Sequence, residues 1–222
     1  MKIRICLSLF LSPFLLHAAH NKEVIEESSA NEDLMREHGV LDRLLLIYGE
    51  IASRIENYQD FPIETLSEAA KLIRNFIENY HEKLEEEYIF PHFEKVGKFN
   101  DLIHTLQDQH QAGRHLTDYI LAHAKESELH DDIQRLILAD YIKLFIRMYH
   151  PHEAREDTVV FPEFKNLVSQ KEYKELGELF EEKEHQLFGD NGYQKIVSDV
   201  ARLEKILGIY KLSQFTPKIS AS

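Results

Sequence analysis

The same phrase is written twice in this chain, as YHEKLEEEYIFP at residues 80–91 and as PHEAREDTVVFP at residues 151–162. Each copy reads His-Glu-x-x-Glu and ends in Phe-Pro, with His81 and Glu85 in the first copy and His152 and Glu156 in the second. Residues four apart lie one turn apart on the same face of an α-helix. Each copy therefore predicts a helical His–Glu pair, and the repetition predicts two halves of an internal duplication that share one centre.

The rest of the chain has the periodicity of helices. Apolar residues recur at spacings of three and four in four long segments, and the sequence contains no sustained alternation of the strand type. The long helices are predicted over about residues 31–57, from near Pro62, after Asn100 and from near Ser127. Two shorter helices, at about 171–188 and 193–207, follow on either side of a GDNG break. Because a proline cannot donate a backbone hydrogen bond, Pro91 and Pro162 each predict a bend or a stop.

These elements predict an all-α fold, an up-down-up-down four-helix bundle with two short additional C-terminal helices. The predicted divisions are a secretory signal peptide at 1–19, the bundle at 30–168, a helical extension packed on the bundle at 169–210 and a loose tail at 211–222. The signal is MKIRICLSLFLSPFLLHAAH, with two basic residues, a short apolar run and small residues near its end. It predicts export, to the periplasm, with no membrane association after cleavage. An uncleaved membrane anchor is the alternative.

The composition of the chain limits the classes of partner it can bind and the side chains that could hold a metal. The chain has 222 residues, is 43% hydrophobic and has a net charge of −13, which argues against nucleic acid and anionic membrane surfaces as partners. Its one cysteine, Cys6, lies in the predicted signal. Any metal bound by the mature chain would therefore be held by histidine and carboxylate side chains.

Each long helix carries one histidine on its apolar stripe: His38, His81, His110 and His152. A single histidine on an apolar face is usually a hydrogen-bonded core residue, but four of them are costly to bury unless each finds a partner. Glu85 and Glu156 lie on the same stripes, where an unpaired carboxylate would be driven toward its neutral form. These residues together predict a metal centre in which the two glutamates bridge two cations.

The ligand types argue against two other kinds of metal protein. A ferritin-like bundle uses Glu-x-x-His on two helices, and a zinc hydrolase uses His-Glu-x-x-His, whereas both copies here have glutamate at the fifth position. Imidazole with carboxylate suits iron among the abundant redox metals, and manganese or zinc would also bind. The neighbouring acids are predicted to lie on an exposed face: Glu82, Glu86, Glu87 and Glu153.

Five stretches of the chain resemble the hemerythrin HHE cation-binding family, in particular its stand-alone bacterial members. They are DLMREHGVLDRLLLIYGE (33–50), FIENYHEKLEEEYIFPHFEK (76–95), QDQHQAGRHLTDYIL (107–121), FIRMYHPHEAREDTVVFPEF (145–164) and EEKEHQLFGDNGY (181–193). The resemblance implies a four-helix bundle with two non-haem iron ions bridged by two carboxylates and an oxygen species. It implies terminal ligands at His38, His81, His110 and His152 and bridging ligands at Glu85 and Glu156.

One position departs from the better-known hemerythrins, which have a second histidine one turn beyond the first on the third helix. Arg114 stands there in this chain, and His115 is rotated by roughly 140° from His110. Fewer protein ligands leave coordination positions open, which favours redox chemistry or sensing over reversible O₂ carriage. Arg114 is expected either to orient an anion or peroxide or to pair with an acid such as Asp42 or Glu156. Asp42 is also a candidate weak ligand or acceptor beside the centre.

Three functions are compatible with this sequence. The first is an exported di-iron protein that binds or reacts with a diatomic gas or peroxide (O₂, NO or H₂O₂) for sensing, scavenging or redox chemistry. The second is iron storage, iron delivery or repair of iron centres, and the third is a metal-free structural or partner-binding bundle. The ligand constellation favours the first two. Glu184 and His185 lie outside the bundle core and are interpreted as helix caps or as groups behind the ligands.

Overall fold

A computed structural model describes residues 29–219, and every regular element in that range is helical. The α-helices are α1 (Ala30–Glu56), α2 (Ile63–Leu72), α3 (Glu82–Leu84), α4 (Phe90–Val96), α5 (Asn100–His123), α6 (Glu126–Leu129), α7 (Asp132–Arg155), α8 (Phe161–Leu167), α9 (Gln170–Phe188) and α10 (Gly192–Leu207). Three π-helical segments lie between some of them: π1 (Ile73–His81), π2 (Glu85–Ile89) and π3 (Glu156–Val160). The predicted all-α class is confirmed. The predicted signal, at 1–19, lies outside the described residues.

The π-helical segments join shorter helices into two long rods. The second rod, residues 63–96, comprises α2, π1, α3, π2 and α4, and the fourth rod, residues 132–167, comprises α7, π3 and α8. The N–H of Phe90 bonds to the carbonyl of Glu85, and the N–H of Phe161 bonds to that of Glu156, five residues back. The proline after each phenylalanine lies in the first turn of the next α-helix, where a missing N–H is tolerated. The helical path therefore does not stop at either proline, and π2 and π3 each begin at a predicted bridging glutamate.

Side-chain caps set the starts of two of the long helices. The Ser29 hydroxyl accepts from the N–H of Glu32, whose carboxylate accepts in return from the N–H of Ser29, so α1 begins in a capping box. Asp131 accepts from the N–H groups of Ile133 and Gln134 and caps α7. The predicted start of the fourth helix near Ser127 is wrong, because residues 126–129 form the separate helix α6.

Four rods enclose the core. The first rod is α1 and the third is α5. α1 packs against α7, α7 packs against α5, and the second rod contacts both α1 and α5 and, through α4, also α8 of the fourth rod. The interior is apolar and aromatic, and burying a side chain such as Phe76 or Phe145 contributes about 1.5–3 kcal/mol. This core surrounds a cluster of buried histidine and glutamate side chains and keeps water from them.

The C-terminal helices pack on the outside of α1. α9 and α10 contact α1 and each other, and Arg43 of α1 donates two parallel hydrogen bonds to Glu204 of α10, at 2.9 and 2.6 Å. Glu184 accepts from the N–H of Tyr193 at 2.9 Å, in the first turn of α10, so it is the cap that the sequence suggests. Within residues 29–219, none of the helices combines the length and the apolar character that a bilayer span requires.

Candidate metal centre

Six ligand-type side chains meet inside the four rods, and none is more than 3% exposed. They form two groups of three, and within each group the ligand atoms all lie within 4.8 Å of one another. The groups are His38, His81 and Glu85, and His110, His152 and Glu156. The structure thus brings together all six residues that the sequence analysis singled out. Their role as metal ligands stays a prediction.

Both glutamates reach across from one group to the other. Glu85 has Oε1 at 3.6 Å from His81 Nε2 in its own group and Oε2 at 3.4 Å from His110 Nε2 in the other. Glu156 also approaches histidines of both groups, but with one oxygen. A carboxylate between the two groups can contact two cations. For Glu156 Oε2, the distances are 3.1 Å to His152 Nε2 and 3.4 Å to His38 Nε2.

Each imidazole is held from behind by an acceptor on a neighbouring rod. The Nδ1 contacts are His38 to Asp157 (2.8 Å), His81 to Glu37 (2.7 Å), His110 to Glu86 (3.1 Å) and His152 to Gln109 (2.9 Å). Every rod supplies one histidine and one acceptor, and the four contacts close a ring around the bundle. Contacts of this kind fix the tautomer and the orientation of a ligand histidine.

The donor atoms that face the centre fit a pair of cations. An acceptor at Nδ1 keeps the proton there and leaves a lone pair on Nε2. The Nε2 atoms of His110 and His152 lie 3.2 Å apart, and both face the centre. His81 Nε2 and both oxygens of Glu85 and of Glu156 have no hydrogen-bond partner. An unsatisfied buried polar group costs about 1–3 kcal/mol, and cations between these atoms would satisfy them all.

The phenylalanine of each repeated phrase shields an imidazole of another rod. The ring of Phe90 stacks on that of His110 with centroids 5.7 Å apart, and Phe161 stacks on His38 at 5.5 Å. π2 and π3 set these positions, since they begin at Glu85 and Glu156 and end just before the phenylalanines. Such turns are frequent at functional sites. The Phe-Pro ending therefore belongs to the wall of the centre.

The chain's own charges distribute protons unevenly between the two glutamates. Burial, reinforced by the charge of Glu156, raises the pKa of Glu85. Burial also acts to raise the pKa of Glu156, but His152 and His38 outweigh it and hold that pKa well below its ordinary value. Burial lowers the pKa of His110 to about 4. His110 is therefore neutral at pH 7, as a metal ligand must be.

Two acids predicted to be exposed are in fact buried. Glu82 is 1% exposed and Glu153 is 4% exposed, and burial raises the pKa of each to about 8. Glu82 accepts a hydrogen bond from the Tyr149 hydroxyl at 2.7 Å. The prediction treated each helix as having one buried stripe, whereas the fourth rod also covers the flank of the second rod on which Glu82 lies. Of the four acids, Glu87 alone is fully exposed as predicted.

Asp42 does not lie beside the centre. Its side chain is 61% exposed, and its partner is His150, with Nδ1 at 3.6 Å. Asp42 lies one turn beyond His38 on α1, but its side chain points to solvent. The acceptor at His38 Nδ1 is Asp157 of π3 instead. The predicted role for Asp42 is therefore wrong. His115 is exposed, in agreement with its predicted rotation away from the centre.

Arg114 pairs with acids other than those predicted. Its Nη2 lies 2.7 Å from Glu82 Oε2 and 2.7 Å from Glu86 Oε1, and Glu86 in turn accepts from His110. The guanidinium therefore lies behind the ligands and links α5 to the second rod. Neither Asp42 nor Glu156 pairs with it. Gly113 beside it makes room for Tyr149, because a Cβ at that position would collide with the tyrosine hydroxyl.

Replacement of Arg114 is expected to destabilise the fold. Arg114→Leu leaves Glu82 and Glu86 without their shared cation, and removing one partner of a buried ion pair costs about 3–5 kcal/mol. We expect a loss of about 2–4 kcal/mol, since the side chain of Arg114 retains 14% exposure. Urea unfolding measures it, with the exposed Arg147→Leu on α7 as the control. Equal unfolding free energies for the two variants would show that this ion pair contributes little.

Sequence reasoning missed the four acceptors behind the histidines. Each is a direct chain neighbour of a predicted ligand, but it serves a histidine of a different rod. The pairs of neighbours are Glu37 with His38, Glu86 with Glu85, Gln109 with His110 and Asp157 with Glu156. The signal that could have found them is the repetition itself, because the acids after Glu85 and Glu156 occupy matching places.

Comparisons with known proteins agree with this geometry. The family model of the hemerythrin HHE cation binding domain matches residues 29–137. Uncharacterized proteins of Mycobacterium bovis and of two Mycobacterium tuberculosis strains are 50% identical to this chain over 189 residues, which is 85% of this chain and 74% of each relative. No solved structure matches the chain. The second His-Glu pair lies beyond the matched residues, and the structure brings it to the first. The chain belongs to the hemerythrin HHE cation-binding family.

Proposed function

We propose that the four rods form an up-down-up-down bundle that holds two non-haem iron ions. His38 and His81 would hold one ion, His110 and His152 the other, and the two glutamates would contact both. One observation carries this assignment: two buried groups of ligand-type side chains are joined by carboxylates, and each oxygen of those carboxylates lacks a hydrogen-bond partner. Manganese or zinc would suit the same donors, and metal analysis distinguishes them.

We further propose that the centre binds or reacts with a small diatomic molecule or peroxide (O₂, NO or H₂O₂) in sensing, scavenging or redox chemistry. Iron supplies the electron transfer and the affinity for such ligands. The chain's part is to hold four imidazoles in fixed orientations and to exclude water with stacked phenylalanines. Arg114 replaces the additional histidine of better-known hemerythrins, which supports chemistry other than reversible O₂ carriage.

Export is proposed from the sequence of residues 1–19, which has the layout of a secretory signal. A periplasmic protein would meet O₂, NO or H₂O₂ before the cytoplasm does. It would have no access to cytoplasmic iron–sulfur clusters, so export argues against their repair. Signal cleavage is checked by the N-terminal sequence of the protein recovered from its native host.

Iron storage is less well supported than a fixed centre. Among the described residues, a third group that could hold a metal is formed by Glu82, Glu86 and His110. Arg114 already contacts both of these carboxylates at 2.7 Å and supplies their positive charge. Iron storage would need further acidic sites along a route to the centre. The third group does not supply one, because Arg114 already pairs with its two carboxylates.

The test is metal analysis of the purified protein together with its absorption spectrum in air, after reduction, and after addition of NO or H₂O₂. We expect two iron ions per chain and a spectrum that changes with reduction and with at least one of these molecules. Two iron ions with a spectrum that none of them alters would support storage or delivery. Protein that binds no metal after loading with iron, manganese or zinc would support the metal-free bundle.

A further inference from the structure

A second polar cleft lies far from the candidate metal centre. Its volume is about 390 Å³, and its lining includes Arg54 and Tyr58 at the end of α1 and His130 and Arg135 at the start of the fourth rod. Arg54 is sixteen residues beyond His38 on α1, so roughly 24 Å of helix separates the two places. This cleft has the size of a small-molecule site and shares no residue with the candidate metal centre.

Arg135 lines this cleft, and its guanidinium is buried without a full complement of partners. Arg135 is 3% exposed, and its Nε and Nη2 atoms have no hydrogen-bond partner. The nearest carboxylate oxygen is that of Asp132, 3.8 Å from Nη2, and Asp132 is itself largely exposed. A buried charge of this kind is costly unless something pairs with it.

Tyr58 holds this guanidinium in place. The Cζ atom of Arg135 lies 3.1 Å from the centre of the Tyr58 ring, and the Tyr58 hydroxyl donates to Asp132 at 3.0 Å. Tyr58 adopts φ of 55°, a left-handed conformation that is uncommon for a tyrosine. Stacking covers one face of the guanidinium but uses none of its N–H groups. The Nε–Nη2 edge therefore keeps its donors.

The Nε and Nη2 atoms of Arg43 show which chemical group this edge of a guanidinium binds. Arg43 donates from Nε and Nη2 to the two oxygens of Glu204, at 2.9 and 2.6 Å. This two-point match between guanidinium and carboxylate is a strong and specific hydrogen-bond geometry. Arg135 has the same pair of donors, and the carboxylate of Asp132, 3.8 Å from Nη2, is too far away to accept from them.

We propose that this cleft binds a small organic carboxylate. Its two oxygens would accept from Arg135 Nε and Nη2, and its apolar body would lie against Ile55, Phe61 and Leu129, which also line the cleft. A phosphate dianion fits less well, because the other guanidinium is already engaged: Arg54 donates to Glu50 at 2.7 Å and to the carbonyl of Leu207 at 2.5 Å. The acids Asp60 and Glu126 on the lining also disfavour a second negative charge.

The absence of tryptophan from the chain makes a sharp test available. Phe61→Trp in the full-length protein places a single indole on the wall of the cleft, and its fluorescence is titrated with benzoate, benzamide and inorganic phosphate. We expect a saturable change with benzoate and none with benzamide, its neutral analogue, or with phosphate. Calorimetry with benzoate on the unsubstituted chain checks that the indole did not create the site.

Added to the Phe61→Trp chain, Arg135→Gln is expected to weaken benzoate binding by about tenfold or more, and Arg147→Gln, an exposed position on the same rod, is expected to leave it unchanged. If Arg135→Gln does not fold, Arg135→Lys keeps the charge without the two-point geometry and is expected to weaken binding as well. The proposal is overturned if benzoate gives no saturable signal, if benzamide or phosphate binds as tightly, or if the folded Arg135 variants bind benzoate normally. None of these outcomes depends on the metal content of the protein.

Discussion

Removing the metal from the loaded protein is expected to lower its melting temperature by about 8–16 °C. Metal bound only by the folded state stabilises it by about 4 kcal/mol when free metal is a thousand times its dissociation constant. Each kcal/mol moves the melting temperature of a chain of this size by roughly 2–4 °C. The structural reason is the set of clustered Nε2 atoms and unpaired carboxylate oxygens, which the cations would satisfy. Thermal melts with and without a strong chelator, followed by reloading with iron, measure the effect.

A matched pair of histidines on α5 makes this test specific. His110 is buried in the centre, and His115, five residues away, is exposed. His110→Ala is expected to abolish most of the difference between loaded and chelated protein, whereas His115→Ala should keep it. If neither chelator nor iron changes the melting temperature of the wild-type protein, the assignment of these six residues as a metal centre is wrong.

The position of the candidate ligands could be predicted because they lie on the apolar stripes of helices. His81 and Glu85 are one turn apart in any helix, and the apolar residues around them show which face is buried. The same reasoning holds for His38 and His110, which follow the stripes of α1 and α5. Local periodicity was sufficient at these positions, because the buried face of each helix follows from the sequence of that helix alone.

The partners behind the ligands could not be predicted, because they depend on contacts between rods. Glu86 is one residue from Glu85, yet it serves His110 of α5. Arg114 was expected to face an open coordination position or to pair with Asp42 or Glu156, and it pairs with Glu82 and Glu86 instead. Periodicity states which side of a helix is buried, and it does not state which neighbouring rod that side meets.

The duplication predicted from two short phrases extends to the residues around them. His38 and His110 are 72 positions apart, and their chain neighbours Glu37 and Gln109 are also 72 apart. On the other two rods the offset is 71 residues. It relates four pairs of equivalent residues: His81 and His152, Glu85 and Glu156, Glu86 and Asp157, and Phe90 and Phe161. The contacts of the imidazoles with the acceptors behind them and with the phenylalanines match between the two halves. The centre therefore has a local two-fold symmetry, and equivalent substitutions in the two halves should affect metal binding equally.

Glu85→Gln and Glu156→Gln test that symmetry. Glutamine has nearly the shape of glutamate but no charge, so it is a poor bridge between two cations. Each variant is expected to bind at most one metal ion per chain, with affinity reduced by roughly 10–100-fold or more, the range seen when even the outer contacts of a metal site are removed. Metal analysis after dialysis measures the ratio. Glu87→Gln, at an exposed position two residues from Glu85, is the control and should keep two ions.

Glu85→Gln and Glu156→Gln are expected to affect metal binding equally but to change the unfolding free energy of the metal-free protein in opposite directions. The pKa of Glu85 is raised in the folded state, so its carboxylate costs stability at any pH above its unfolded pKa, and Glu85→Gln removes that cost. The pKa of Glu156 is lowered, so its charge stabilises the fold above its unfolded pKa, and Glu156→Gln loses that contribution. At pH 7, urea unfolding of the chelated proteins should show Glu85→Gln more stable than wild type and Glu156→Gln less stable, each by about 1–3 kcal/mol. Shifts in the same direction would mean that the protons are shared evenly between the two glutamates, and that the charge asymmetry described above is wrong even if the metal centre is right.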